Sequence, residues 1–167
     1  FFLFAQVLST LTQEELDYLQ NKKEITIGVM NAWEPLSFTD YRGEIVGMSV
    51  DILDELNKRV YGKIKIVPKD WASVYDESKR ALLDGVMDIT PTLEREEFYL
   101  FTKAHLQIPH VIVSRKESAK YLSLQELQDK TIALEKNFVA NEYIKKHFPR
   151  IKIKNYENTT LCLDALS

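Results

Sequence analysis

Runs of alternating or apolar residues recur along this chain, each followed by a segment that carries the marks of a helix. Ile25-Thr26-Ile27-Gly28-Val29, Lys63–Val67, Val86–Ile89, Thr131–Leu134 and Ile151–Lys154 have the spacing and apolar content of short strands. Between them lie helix signatures. Thr12-Gln13-Glu14-Glu15 forms a capping box with Leu11 and Leu16 at staple positions, which predicts a helix from Gln13 to about Asn21. Ile52, Leu53, Leu56 and Val60 share one helical face between Gly47 and Gly62. Ser73 is placed to cap another helix, with Gly85 as its stop, and Pro68 is expected to end the strand before it. Ser123-Leu124-Gln125-Glu126 repeats the capping box, Asn137–Phe148 reads as a helix closed by Pro149, and a last helix starts near Thr159. Strands and helices in strict alternation predict an α/β fold with largely parallel sheets.

Two βαβ-type sets, about residues 25–90 and 131–167, are joined by the extended apolar run Ile108–Val113. Residues 11–106 are accordingly assigned to a first lobe, and residues 107–167 to a hinge strand with part of a second. Residues 1–10 open Phe-Phe-Leu-Phe-Ala and have the composition of the tail of a signal peptide, which implies export. In open α/β sheets ligands bind beyond the carboxyl ends of strands, which here are Asn31–Phe38, Lys69–Ser73, Thr90–Arg95 and Glu135–Val139.

Composition removes several classes. With 22 Lys+Arg against 25 Asp+Glu the net charge is −3, without the basic excess of a nucleic-acid-binding surface. The five glycines form neither GxGxxG nor GxxxxGK[ST], so the common phosphate-cradling loops are missing and no cofactor is implied. His105, His110 and His147 form no metal-ligand spacing, and no metal site is predicted. The single cysteine, Cys162, falls on the apolar stripe of the last helix as an inert thiol. No catalytic residue is assigned.

Several stretches recur together, in order: Ile27-Gly28-Val29 followed by Trp33-Glu34-Pro35-Leu36-Ser37-Phe38; Gly47-Met48-Ser49-Val50-Asp51-Ile52-Leu53; Trp71; Leu83–Asp88; Thr92-Leu93-Glu94-Arg95-Glu96; and Ser123–Leu127 leading to Lys130–Ala133. In this register the chain resembles the family 3 bacterial solute-binding proteins, and within them the Venus-flytrap sensor domains of membrane histidine kinases and diguanylate cyclases. The resemblance implies a two-lobed type II periplasmic-binding fold, with the second lobe incomplete, closing on an amino acid or small carboxylate. It implies that Trp33 and Phe38 line the first lobe and that Arg95, at the family's Thr-x-x-Arg, holds a ligand carboxylate through its planar fork of donors. Thr90 and Thr92 would add hydroxyl donors, and the Asn137-Phe138 end of the next helix an anion site. Trp71 would serve as lid, pocket wall or packing, and Trp33 and Phe38 equally as core aromatics.

As partners the resemblance implies the small solute, a fused transmembrane signalling module and dimerisation through it; no nucleic acid is implied. Two other roles share the fold, a soluble transporter subunit and an enzyme of dehydratase type or one fused to a lytic transglycosylase. Glu34 and Glu135, at strand ends, are the carboxylates an enzyme would use. Two features depart from the family pattern: the short stretch from Asp88 to Arg95, which implies a rebuilt pocket floor or a different position for Arg95, and Asn137-Phe138 in place of small residues, which narrows an amino-acid pocket.

Overall fold

Helix α1 (Gln13–Asn21) starts where its capping box places it. The Thr12 hydroxyl accepts the Glu15 amide at 3.2 Å while the Glu15 carboxylate takes the Thr12 amide at 2.7 Å. Its far end is closed from a distance. The Lys63 ammonium donates to the carbonyls of Leu19, Gln20 (3.0 Å) and Lys22 (2.8 Å), a cation on the orphan acceptors of a helix C-terminus.

The computed structural model describes residues 11–166, so the signal-peptide expectation for residues 1–10 lies outside the described residues. Two compact units emerge: residues 11–69 with Asp76–Met87, and Asp70–Tyr75 with residues 88–166. The first contains β1 (Ile25–Met30), β2 (Ala32–Trp33), β3 (Ser37–Thr39), β4 (Ile45–Val46), helix α2 (Met48–Arg59), β5 (Ile64–Lys69), part of helix α3 (Trp71–Lys79) and β6 (Gly85–Val86). Strands β5, β1 and β6 form a parallel sheet in that order, in register from Ile25↔Ile64 to Met30↔Lys69. Strands β2, β3 and β4, which follow β1, make a small antiparallel sheet. Val29, Met30, Leu36, Val50, Leu53 and Leu83 are buried.

The second unit contains the 3₁₀ turns Arg95–Glu97 and Leu124–Leu127, β7 (Thr131–Glu135), helix α4 (Val139–His147), β8 (Lys152–Tyr156) and helix α5 (Thr159–Asp164). Strands β7 and β8 run parallel from Thr131↔Lys152 to Glu135↔Tyr156. Leu127, Ile144 and Ile151 form the buried centre, with Ile132, Leu134, Phe148 and Ile153 packed on it. This is the β-α-β unit that the alternation of patterns predicts.

Five local expectations are corrected. Pro68 does not end its strand: β5 is the edge of its sheet, where a residue without an N–H leaves no partner unmet. Asp70, not Ser73, caps α3; its carboxylate takes the Ser73 amide at 2.9 Å and the Ser73 hydroxyl at 2.7 Å. Gly85 does not stop that helix, which ends at Lys79 with Ala81 in the left-handed region (φ 56°); Gly85 lies in β6, where a Cβ would come within 2.9 Å of Ile27 Cδ1. The run expected as a strand at Val86–Ile89 shortens to Gly85–Val86, because Asp88 turns the backbone left-handed (φ 60°). Ile108–Val113 forms no strand, and Ile108, Val111, Ile112 and Val113 are exposed because no strand pairs with that run among the described residues.

Gly47 shows why one backbone position tolerates no side chain. It precedes α2 at φ 127°, and the amides of Met48 and Ser49 donate to the carbonyls of Pro35 (3.1 Å) and Leu36 (2.9 Å). A Cβ at Gly47 would enter the Leu36 carbonyl and lie 2.9 Å from the Pro35 oxygen. Gly47→Ala therefore strains the backbone and separates α2 from the β2–β3 connection. The expected result is a loss of roughly 2–4 kcal/mol in unfolding free energy, measured from urea midpoints at constant m.

Candidate functional site

Trp71 and Tyr75 stand one turn apart on α3, so their rings rise on one side of the helix, with centroids 5.6 Å apart in a stacked arrangement. The guanidinium of Arg95, at the start of a 3₁₀ turn, lies over both, its Cζ 5.4 Å from the Trp71 ring and 5.3 Å from the Tyr75 ring. Arg95 is only 1% exposed, so the neighbouring Glu94, Glu96 and Glu97 do not draw it onto the surface. Such a cation survives burial only if its donors find acceptors. Nη1 donates to the Thr90 carbonyl and Nη2 to the Asn137 carbonyl, each at 2.9 Å. Nε has no hydrogen-bond partner, and the Glu142 carboxylate lies 3.5 Å from it.

Asn137 is itself left-handed (φ 59°), a conformation asparagine adopts more readily than most residues. That turn aims its carbonyl so that the oxygen accepts from Trp71 Nε1 at 2.9 Å as well as from Arg95. Phe138 follows as the N-cap position of α4, edge-on to Trp71 at 6.3 Å between centroids. Asn141, buried, donates to the carbonyls of Glu135 (2.6 Å) and Phe138 (3.1 Å) and accepts from Asn155 Nδ2 at 2.6 Å. Tyr75, Asn137, Phe138, Asn141 and Glu142 line a depression of about 570 Å³ that also touches Glu94, Asn155 and the lysines 136, 145 and 146.

Of the residues the sequence singles out, Trp71, Thr90, Thr92, Arg95, Asn137 and Phe138 come together in this second unit. Thr90 contributes its carbonyl, and the Thr92 hydroxyl accepts the Arg95 amide at 3.3 Å, so both hold the arginine in place. Trp33 and Phe38 are half-buried in β2 and β3 of the first unit. Sequence reasoning missed Tyr75, Glu142, Asn141 and Asn155. Tyr75 was findable from its i+4 spacing to Trp71; the other three depend on how α4 and β8 pack.

The two strand-end carboxylates differ. Glu34 is exposed, whereas Glu135 is buried, and burial pushes its carboxyl up while hydrogen bonds from the Thr159 amide and hydroxyl oppose the shift. The nearby Asp70 charge pushes the same way as burial. Burial likewise pushes the Cys162 thiol up, which keeps it protonated and unreactive.

The comparisons with known proteins agree with one another. A model of the bacterial extracellular solute-binding proteins, family 3, matches residues 25–161. The arginine-binding extracellular protein ArtP of Bacillus subtilis (strain 168) is 26% identical over 141 residues, covering 84% of this chain and 54% of that protein. The virulence sensor protein BvgS of Bordetella bronchiseptica is 23% identical over 150 residues, covering 87% of this chain and 12% of BvgS. A crystal structure of a solute receptor for L-cysteine from Neisseria gonorrhoeae superposes with TM-score 0.79 at 25% identity, covering 90% of this chain and 62% of that one. The chain spans about half the length of curated relatives such as ArtP.

Two outcomes follow from this geometry. Arg95→Met leaves the Thr90 carbonyl without its donor, leaves the Asn137 carbonyl with Trp71 Nε1 alone, and strips the cation from both rings; unfolding free energy is expected to fall by roughly 2–4 kcal/mol by chemical denaturation. Glu135 carries the opposite sign from a salt-bridged carboxylate. Its folded-state pKa is raised, so the native state binds its proton more tightly than the unfolded state does, and stability is lost as pH rises through that pKa. Stability compared across the acid range should show wild type losing ground to Glu135→Gln with rising pH; a constant difference would mean the carboxyl is not desolvated.

Proposed function

This chain belongs to family 3 of the bacterial extracellular solute-binding proteins, and from that premise we propose that it is a non-catalytic domain that closes on an amino-acid-like or small carboxylate ligand outside the cytoplasm. Its fold is that of the type II periplasmic-binding proteins. The observation that supports the ligand class is Arg95: a guanidinium that is 1% exposed, held by two carbonyls and two aromatic rings, and in contact with Asn137 and Glu142, which line an open depression. A cation buried this close to a pocket wall is poorly screened and favours a carboxylate there. Trp71 and Phe138 supply apolar wall beside it, as ligand sites generally need, and Thr90, Thr92 and Asn137 hold the guanidinium's orientation. Trp33 and Phe38 are the first unit's own proposed ligand residues.

Ligand contacts made only in the closed form would shift the population toward it, and that shift is the signal. We favour a sensor role, tethered at the membrane through a fused signalling module; similarity to BvgS over 87% of the chain supports it. Among the described residues no helix is long and apolar enough to cross a membrane. The likeness to ArtP supports a second role, delivery of solute to a transporter, and the full-length gene sequence separates the two.

Isothermal titration of the purified protein against the twenty amino acids and short mono- and dicarboxylates is expected to yield saturable binding with at least one. Arg95→Lys, which keeps the charge and loses the planar fork, should weaken that binding by about tenfold or more. Circular dichroism of the same variant checks that its fold persists. Unchanged affinity would remove Arg95 from the site, and the absence of heat with every compound would remove the solute-binding role.

A further inference from the structure

We infer, resting on the binding role proposed above, that the turn at Asn137 is an autoinhibitory plug: its carbonyl occupies the guanidinium of Arg95 and withholds that cation from the depression until the turn rotates away. Asn137 is exposed on the wall of the depression, whereas Arg95 is 1% exposed and does not line it. What separates the two is one oxygen. The Asn137 carbonyl accepts from Arg95 Nη2 and from Trp71 Nε1, each at 2.9 Å, so both of its lone pairs are engaged by buried donors.

The backbone that aims this oxygen is unfavourable and loosely closed. Asn137 stands at φ 59°, a left-handed conformation that side chains other than glycine's resist. The bond that closes the turn, from the Phe138 amide to the Glu135 carbonyl, is long at 3.4 Å. The flanks are firmer. The Lys136 amide donates to the Tyr156 carbonyl at 2.9 Å, and the Asn141 side chain donates to the carbonyls of Glu135 and Phe138 at 2.6 and 3.1 Å. Rotation of the single peptide joining Asn137 to Phe138 is therefore the local motion that moves the oxygen. It surrenders the long bond and the two buried donors, and leaves β7 and α4 in place.

Those two donors decide when the rotation occurs. Without a replacement acceptor, Arg95 Nη2 and Trp71 Nε1 would be left buried and unmet, so the plug stays in. A carboxylate in the depression has two oxygens to offer the same pair once the carbonyl has turned away. Apparent affinity is then the intrinsic affinity scaled by the fraction of molecules whose turn has rotated. The residue type at position 137 sets that fraction, because glycine takes the left-handed conformation freely, alanine resists it, and asparagine lies between them.

Calorimetry of wild type, Asn137→Ala and Asn137→Gly with the twenty amino acids, acetate and glutarate tests the plug. Both variants lack the carboxamide, so a direct contact of that side chain is lost equally, and the difference between them reports the backbone. Asn137→Ala is expected to bind at least one of these compounds about fivefold or more tightly than Asn137→Gly. Equal affinities overturn the plug and leave the binding role intact; binding of none of the compounds by any of the three proteins overturns the binding role itself. A second measurement needs no ligand. The chain has two tryptophans, so the Trp71 Nε1–Hε1 resonance is assigned by its loss in Trp71→Phe. It should stay in place in Asn137→Gly, and should move upfield and exchange faster with water in Asn137→Ala. A resonance identical in the two variants overturns the plug, as does a bound compound that leaves the wild-type resonance unmoved.

Discussion

A cation without water must be given its solvation back by the protein, and in this chain that demand falls on Arg95. Its guanidinium keeps two terminal nitrogens on backbone carbonyls and lies over two aromatic rings, Trp71 and Tyr75. Each of those partners comes from a different part of the chain: Thr90 from the segment before it, Trp71 and Tyr75 from α3, and Asn137 from the turn after β7. Burial of one side chain thereby couples three segments. Loss of the charge, or of the planar fork, leaves acceptors and rings organised around nothing.

The same logic of compensated charge governs carboxylates in both units. Asp84 receives the Thr26 amide at 2.9 Å and the Lys22 ammonium at 2.5 Å, which holds its carboxyl below the usual carboxylate range and ties the entry of β6 to β1. Partial burial pushes the Asp70 carboxyl up, yet the Ser73 donors outweigh that and hold it low. Glu135 is the exception, a carboxylate whose burial outweighs its Thr159 hydrogen bonds. Asp84 and Asp70 are engaged in closing a turn and starting a helix.

Part of the candidate site came from the family resemblance, which singled out Arg95 at the family's Thr-x-x-Arg and Trp71 among its ordered stretches. The roles of the threonines were less visible. A threonine offers a hydroxyl to any reader of sequence, but Thr90 acts here through a carbonyl that every residue possesses. Asn137 is the same case: its side chain suggests recognition, while its left-handed backbone does the recognising by turning a carbonyl toward Arg95 and Trp71. Glu142 was invisible because a glutamate in the first turn of a helix is ordinarily explained by the helix dipole alone.

Local signals in the chain determined the alternation of strands and helices, the start of α1 at Thr12, and the membership of a solute-binding family, because capping, periodicity and ordered motifs act over a few residues and survive without a partner. Tertiary structure decided the rest. Pro68 stays in a strand because that strand is an edge; Gly47 must lack a side chain because Leu36 approaches it; Lys63 closes a helix more than forty residues upstream. Arg95 is a buried, half-satisfied cation rather than a surface ion pair for the same reason. Which acceptors surround a charge is settled by segments distant in sequence, and only packing brings them within 3 Å.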